Sequence, residues 1–130
     1  MSNINLLQSA LNASSLRQQV ISNNIANAET PDYKGKKVVF EDILKQHLNK
    51  QSNFTGNRTD TRHFVIGAPF DAPIAKIVEN SNTTMQNNGN NVDVDDEMTN
   101  LSKNALWYNT LVEQVNSEFQ QLSIAIKGRI

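Results

Sequence analysis

Apolar residues recur along this chain at regular steps in its first and last thirds and lose that order between them. Near the start, Ile4, Leu7, Leu11, Ile21, Ile25 and Ala28 fall at alternating steps of three and four, and Ser14 and Gln18 occupy the middle positions of the same series. Steps of that size line one face of an α-helix. The pattern therefore predicts an amphipathic helix with a polar waist. Pro31 disfavours the α conformation at Thr30, so the helix is predicted to stop near Ala28 or Glu29.

The last third carries the strongest pattern. Val94, Met98, Leu101, Ala105, Tyr108, Val112, Val115, Phe119, Leu122 and Ile126 keep strict four-three spacing with no polar interruption. Such a run is the seam of a coiled coil. At a rise of about 1.5 Å per residue, the helix is predicted to be about 50 Å long. Asp93 is placed to cap it, Asp95, Asp96 and Glu97 load its first turn, and Lys127, Gly128 and Arg129 suit its end. Leu106, Trp107, Leu111 and Ile124 lie off the seam, and the first three are expected to form a second contact face.

Between these regions the order breaks down. Val38 and Phe40 alternate about Val39, and Phe40, Ile43, Leu44 and Leu48 then follow a short helical pattern. A stretch rich in Asn, Thr, Gly and Pro comes next, with Phe64–Ile66 and Ile74–Val78 as candidate brief strands and 80–91 as a polar loop. The expected fold is mainly α. Long terminal helices (1–30 and 93–128) pack as an antiparallel coiled-coil-like hairpin, and the variable segment 31–92 is partly irregular with short β structure. A single pair of helices buries too little to hold itself, so further copies of the chain are expected to complete the core.

Composition narrows the function. Hydrophobic residues make up 38% of the 130 positions, enough for stripes rather than a thick core. A formal charge of −1 lends no electrostatic support to a nucleic-acid partner. The absence of cysteine removes disulfides and thiolate chemistry. The first fifteen residues lack the basic and apolar blocks of a secretory signal of the usual kind. His47 and His63 have no carboxylates at metal-ligand spacing, and the acidic run at 92–97 lacks the ligand spacing and glycine of a calcium loop. No nucleophile motif is present. These features point away from an enzyme, a cofactor, a metal or a small-molecule substrate.

One stretch resists a purely local account. Asparagine is a poor helix former, yet Asn23, Asn24 and Asn27 crowd the end of the first helix. The segment Ser22-Asn23-Asn24-Ile25-Ala26-Asn27-Ala28-Glu29-Thr30-Pro31-Asp32-Tyr33-Lys34 resembles the signature of the flagellar axial proteins, with Ser22 in place of the usual alanine and Asp32 where glycine is commonest. In the last third, Asn91, Val92, Asp93, Glu97, Met98, Leu101, Asn104 and Tyr108 resemble a pattern of the flagellar basal body rod protein family, and Arg62-His63-Phe64 resembles its mid-chain element.

The resemblance implies a structural subunit of the proximal rod, which links the membrane ring and export apparatus to the distal rod and transmits torque. It implies export through the type III apparatus without signal cleavage, and a place in the periplasmic part of the basal body. The implied partners are copies of the same chain, other rod proteins, the membrane-ring adaptor and the export gate. Asn23, Asn24, Ile25, Ala26, Asn27, Thr30, Pro31, Tyr33 and Lys34 are the implied assembly motif. Phe40 and Leu44 resemble an export docking element, against the simpler reading that they form one turn of a packed helix. A sibling rod protein of the FlgC type is the second reading. Periodicity taken alone also suits a cytoplasmic coiled-coil adaptor or export chaperone.

Overall fold

The computed structural model of the chain describes residues 2–50, 60, 62, 64, 72–79 and 89–128. In chain order the elements are α1 (Ser2–Ala26), β1 (Lys36–Val39), α2 (Glu41–Lys50), β2 (Lys76–Glu79) and α3 (Val94–Lys127). The structure is mainly helical, with long helices at both ends of the chain and one short antiparallel sheet between them.

Helix α3 starts and stops where its caps dictate. The Asp93 side chain accepts a hydrogen bond from the Asp95 backbone N–H, satisfying one of the donors a helix start leaves open. Gly128 adopts the left-handed conformation, φ 61°, and its N–H donates to the Ile124 carbonyl at 2.9 Å. Helix α1 ends slightly before the predicted point. After Ala26 the backbone tightens, with Ala28 N–H donating to Ile25 and Thr30 N–H to Asn27. Asp32 then takes a left-handed conformation, φ 59°, which asparagine and aspartate tolerate better than most residues.

The two long helices run antiparallel. Asn24 faces Glu97 and Ser14 faces Asn104, while Ala10 packs in one cluster with Leu111. Seven further residues along each helix bring residue 3 opposite residue 118, so the last two turns of α3 run past the first residue of α1.

The face of α3 that α1 covers is not the heptad seam read from the sequence. Asn104 and Leu111 are the buried residues of α3, and Glu97, Leu101 and Val115 are half-buried beside them. Val94, Met98, Ala105, Tyr108, Phe119, Leu122 and Ile126 are exposed. Of the predicted seam, Leu101, Val112 and Val115 are half-buried. Leu111, expected on a second contact face with Leu106 and Trp107, instead packs inside the hairpin, while those two neighbours are exposed. The reason lies in α1. Its inner face is built from Ala10, Ala13 and Ser14, small residues that let α3 approach through Asn104 and Leu111.

The core is thin. Phe40, at the junction of β1 and α2, inserts against Ala10, Ala13 and Leu111, and Leu7, Leu11, Leu44 and Ala75 close around it. On α1, Ile21 is fully buried, while Ile4, Leu7, Leu11 and Ile25 are half-buried. The Phe40 carbonyl accepts from Leu44 N–H at 2.8 Å and so opens α2. Strand β1 pairs antiparallel with β2 in the register Lys36 with Glu79, Lys37 with Val78, Val38 with Ile77 and Val39 with Lys76. Val38 points inward, whereas β2 is exposed along its length. Among the candidate strands, Ile74–Val78 overlaps β2. Val65 and Ile66 lie outside the described residues, and Phe64 is exposed with no regular structure. His63 also lies outside them.

Candidate assembly site

The asparagines at the end of α1 are explained by what surrounds them. Asn24 is 1% exposed, and its amide has two N–H donors and two acceptor lone pairs to satisfy. Its Nδ2 donates to the Lys36 carbonyl at 2.8 Å and to Glu97 Oε1 at 3.1 Å. Its Oδ1 accepts from the Lys36 N–H at 3.0 Å and from the Tyr33 hydroxyl at 3.2 Å. One side chain thereby ties α1, the following turn, β1 and the first turn of α3 together.

A second asparagine closes the same junction from the other side. Asn90 is fully buried, and its Nδ2 reaches the carbonyls of Asn27, Ala28 and Thr30 at 3.0, 2.7 and 3.1 Å. Its Oδ1 accepts from Val92 N–H at 2.7 Å. Carbonyls leaving a helix end need partners that the helix cannot supply. Here a residue sixty or more positions away supplies them. Gly35 N–H donates to Asn91 Oδ1 at 2.6 Å, and Lys34 Nζ donates to the Gly89 carbonyl at 2.7 Å. Gly89 has φ 80° and lies so close to Asp32 that a Cβ there would stand 2.6 Å from Asp32 Oδ1.

We call this arrangement the clasp. Asn24, Tyr33 and Lys34 belong to the assembly motif implied by the family resemblance, and the structure brings all three into the clasp. Asn27 contributes locally, donating from Nδ2 to the Asn23 carbonyl at 2.8 Å. Asn23, Ala26, Thr30 and Pro31 are exposed, and Ile25 is half-buried. Asn90 does not stand out in the sequence, because it sits in a run of asparagines within the expected polar loop. Its one signal is its place just ahead of the Asp93 cap.

Burial perturbs two groups in the clasp. Desolvation pushes the Glu97 carboxyl above its usual range, and Asp96 adds to this, against the Asn24 hydrogen bond and the charge of Lys37. The Tyr33 hydroxyl is likewise raised, first by burial and then by Glu97 and Glu79. Elsewhere, Arg17 Nη2 meets both Glu41 oxygens, at 2.6 and 2.8 Å, joining α1 to α2. Burial works against the Glu41 charge, but the Arg17 hydrogen bond, backbone donors and the Arg17 charge hold its carboxyl below the usual range.

Beyond the clasp lies a second polar lock and a groove. Ser14 Oγ donates to Asn104 Oδ1 at 3.0 Å, and Asn104 Nδ2 donates to the Ser14 carbonyl at 2.9 Å, both buried. The polar waist of α1 is thus matched by a polar residue on α3. Beside it a groove of about 460 Å³ runs between α1, β1 and α3, floored by Val20, Ile21 and Val38 and edged by Lys37, Lys103 and Trp107. Phe40 is 3% exposed and Leu44 half-buried. An export signal at these positions would be readable only in the unfolded chain, and alanine there would also disturb the core. Among the described residues no three His, Cys, Asp or Glu side chains gather to hold a metal ion, and no helix is long and apolar enough to cross a membrane.

These features coincide with a known family. A sequence profile described as "Flagella basal body rod protein" matches residues 4–34, which contain α1 from Ile4 onward and the Asn24, Tyr33 and Lys34 side of the clasp. The flagellar basal body rod protein FlgB of Bacillus subtilis (strain 168) is 43% identical over 122 residues, spanning 94% of this chain and 91% of the relative. FlgB of Aeromonas hydrophila is 36% identical, covering 93% and 89% of the two chains. FlgB of Borrelia hermsii is 33% identical, covering 95% of each. The likeness runs through both helices and the segment joining them, well beyond the motif alone: the chain belongs to the FlgB family of flagellar basal body rod proteins.

Proposed function

We propose that this chain, by family a structural subunit of the flagellar basal body rod, forms the proximal rod by polymerising through the free face of α3. One observation carries the reading. Helix α3 keeps a strict heptad stripe along its length, and α1 leaves most of it uncovered: Met98 is 51% exposed, Phe119 55% and Ile126 84%. A stripe of that spacing matches another helix, because each apolar knob needs a hole formed by four residues of a facing helix. Residues 94–126 then bury against neighbouring copies, and at the ends of the stack against other rod proteins.

In this reading the rod links the membrane ring and export apparatus to the distal rod and passes torque outward, within the periplasm. The subunits reach it through the type III export gate without loss of a signal peptide, and the first layer sits on the membrane-ring adaptor. Relatives named FlgB along nearly the full chain support this rod subunit over a FlgC-type sibling rod protein or a cytoplasmic chaperone. The exposed ends of the hairpin are suited to head-to-tail contacts, which propagate as open helical assemblies.

The test uses Phe119→Glu with Leu122→Glu, two exposed positions of the stripe. Cells carrying the double variant should make and export the chain but build no rod, and should fail to spread in soft agar. Intact hooks and normal spreading would overturn the proposal.

A further inference from the structure

We propose that the groove between α1, β1 and α3 receives the Phe119 portion of the α3 stripe from a second copy of this chain. This docking rests on the stripe being the assembly face, and it adds the surface that accepts it.

The two surfaces are unlike and point apart. The groove holds about 460 Å³, in the size range of a small-ligand site. Val20, Ile21 and Val38 on its floor are buried, whereas Trp107 at its edge is 47% exposed and Lys37 and Lys103 on its rim are exposed. At about 100° per residue, Lys103 and Trp107 are turned roughly 120–160° round α3 from Phe119. A hairpin therefore cannot fill its own groove with its own stripe. Complementary surfaces that face different ways meet between successive copies, in a heterologous contact that repeats as an open helical assembly.

Charge selects the part of the stripe that fits. Arg17, Lys37 and Lys103 line the groove against one carboxylate, Glu97. The Arg17 guanidinium is held by Glu41, and Glu97 accepts from Asn24 and faces the Lys37 charge. Lys103 has no hydrogen bond or ion pair among the described residues. The groove thus suits an apolar knob flanked by carboxylates. Residues 104–126 contain no lysine or arginine, and their acids are Glu113 and Glu118. These lie about 100–120° to either side of Phe119 round the helix. Phe119 and Leu122, one turn apart, are both exposed. The stripe's other acidic part, Asp95 to Glu97, belongs to the groove's own wall through Glu97. Beyond Glu118 the next charge is Lys127, of the wrong sign. With Phe119 in the groove, its ring meets Trp107 in the kind of pair that aromatic rings favour. Glu113 and Glu118 then come to Lys103 and Lys37, charge pairs that fix register.

Charge reversal in cells, with hooks counted by electron microscopy, tests this on the full chain. Lys103→Glu alone, and Glu113→Lys with Glu118→Lys, should each leave at least ~10-fold fewer hooks per cell, because like charges then meet across the contact. All three together should return hook number to within about threefold of the parent, as coupled positions do. Roughly 15 Å of helix separates Lys103 from Glu113, so such a rescue acts between copies. Normal hook number with Lys103→Glu, or a triple variant no better than Lys103→Glu, would overturn the proposal. Because the chain has no cysteine, disulfide trapping gives a second measurement. Lys103→Cys combined in turn with Glu113→Cys, Asn116→Cys or Glu118→Cys should give a ladder of multimers on oxidation, and Lys103→Cys alone should give none. Dimers from Lys103→Cys alone, or no ladder from any pair, count against the groove. A rod blocked by Phe119→Glu with Leu122→Glu but built with Lys103→Glu keeps the stripe as the assembly face and removes the groove alone. A rod built in both removes both.

Discussion

Asn24 offers the sharpest test of the clasp, because alanine and aspartate at that position fail in different ways. Asn24→Ala removes four hydrogen bonds and leaves the Lys36 N–H, the Lys36 carbonyl and the Tyr33 hydroxyl without their partner. Each unsatisfied buried group costs about 1–3 kcal/mol, and these are only partly buried, so water relieves some of the loss. A net destabilisation of about 2–4 kcal/mol follows, large against the 5–15 kcal/mol of a typical domain. Asn24→Asp keeps the acceptor side but replaces the donor with a carboxylate oxygen, 3.1 Å from Glu97 Oε1 in the present geometry. Two carboxylates at that separation cannot both stay ionised cheaply, so one should take up a proton and donate it to the other. Aspartate should therefore be worse than alanine at pH 7.5 and should recover on acidification to pH 5. Urea unfolding followed by helical circular dichroism and by Trp107 fluorescence measures both variants. An aspartate variant as stable as the parent at pH 7.5, or one that weakens between pH 7.5 and 5 more than the parent does, would refute the reasoning.

Other outcomes follow from single contacts. At the waist, Asn104→Ala should cost about 2–3 kcal/mol by leaving Ser14 Oγ unpaired and a small void, while Ser14→Ala with Asn104→Leu should recover most of that, as replacing both partners by apolar groups often does; the same urea titrations check it. Gly89→Ala should cost about 1–3 kcal/mol, because the residue has positive φ and its new methyl would meet Asp32 Oδ1; adding Asp32→Gly removes the obstructing carboxylate and should restore part of the loss in thermal melts. Glu97 has a raised carboxyl pKa in the fold, so its contribution is fully present below the ordinary carboxylate range and is lost as pH rises through the folded value. Glu97→Gln should accordingly remove that loss on the alkaline side of the ordinary carboxylate range, seen as a flatter pH–stability profile. Glu41 has the opposite sign: its lowered pKa gives stability that is present above the ordinary range and lost as pH falls through the folded value, and Glu41→Gln should abolish that acid-side loss.

The sequence by itself determined the elements at both ends of the chain. The four-three spacing from Val94 to Ile126 specifies a long helix whatever surrounds it, and the Asp93 and Gly128 caps fix its limits through bonds to neighbouring residues. Thr30-Pro31 likewise keeps helix from resuming beyond the tightened turn that follows Ala26, by a local steric clash. Such features are legible because each cause lies within a few residues of its effect. Tertiary structure decided which face of α3 is used inside the chain. Periodicity marks the most apolar stripe, but α1 presents Ala10, Ala13 and Ser14, and a narrow surface with one hydroxyl pairs with Asn104 and Leu111 rather than with the seam. Only the fold could assign Asn90, since a cap supplied from more than sixty residues away leaves no local pattern. Asn24 shows both sides of this division. Its presence on a helix announced a special role, but its four partners lie on three separate segments that meet only when the hairpin closes.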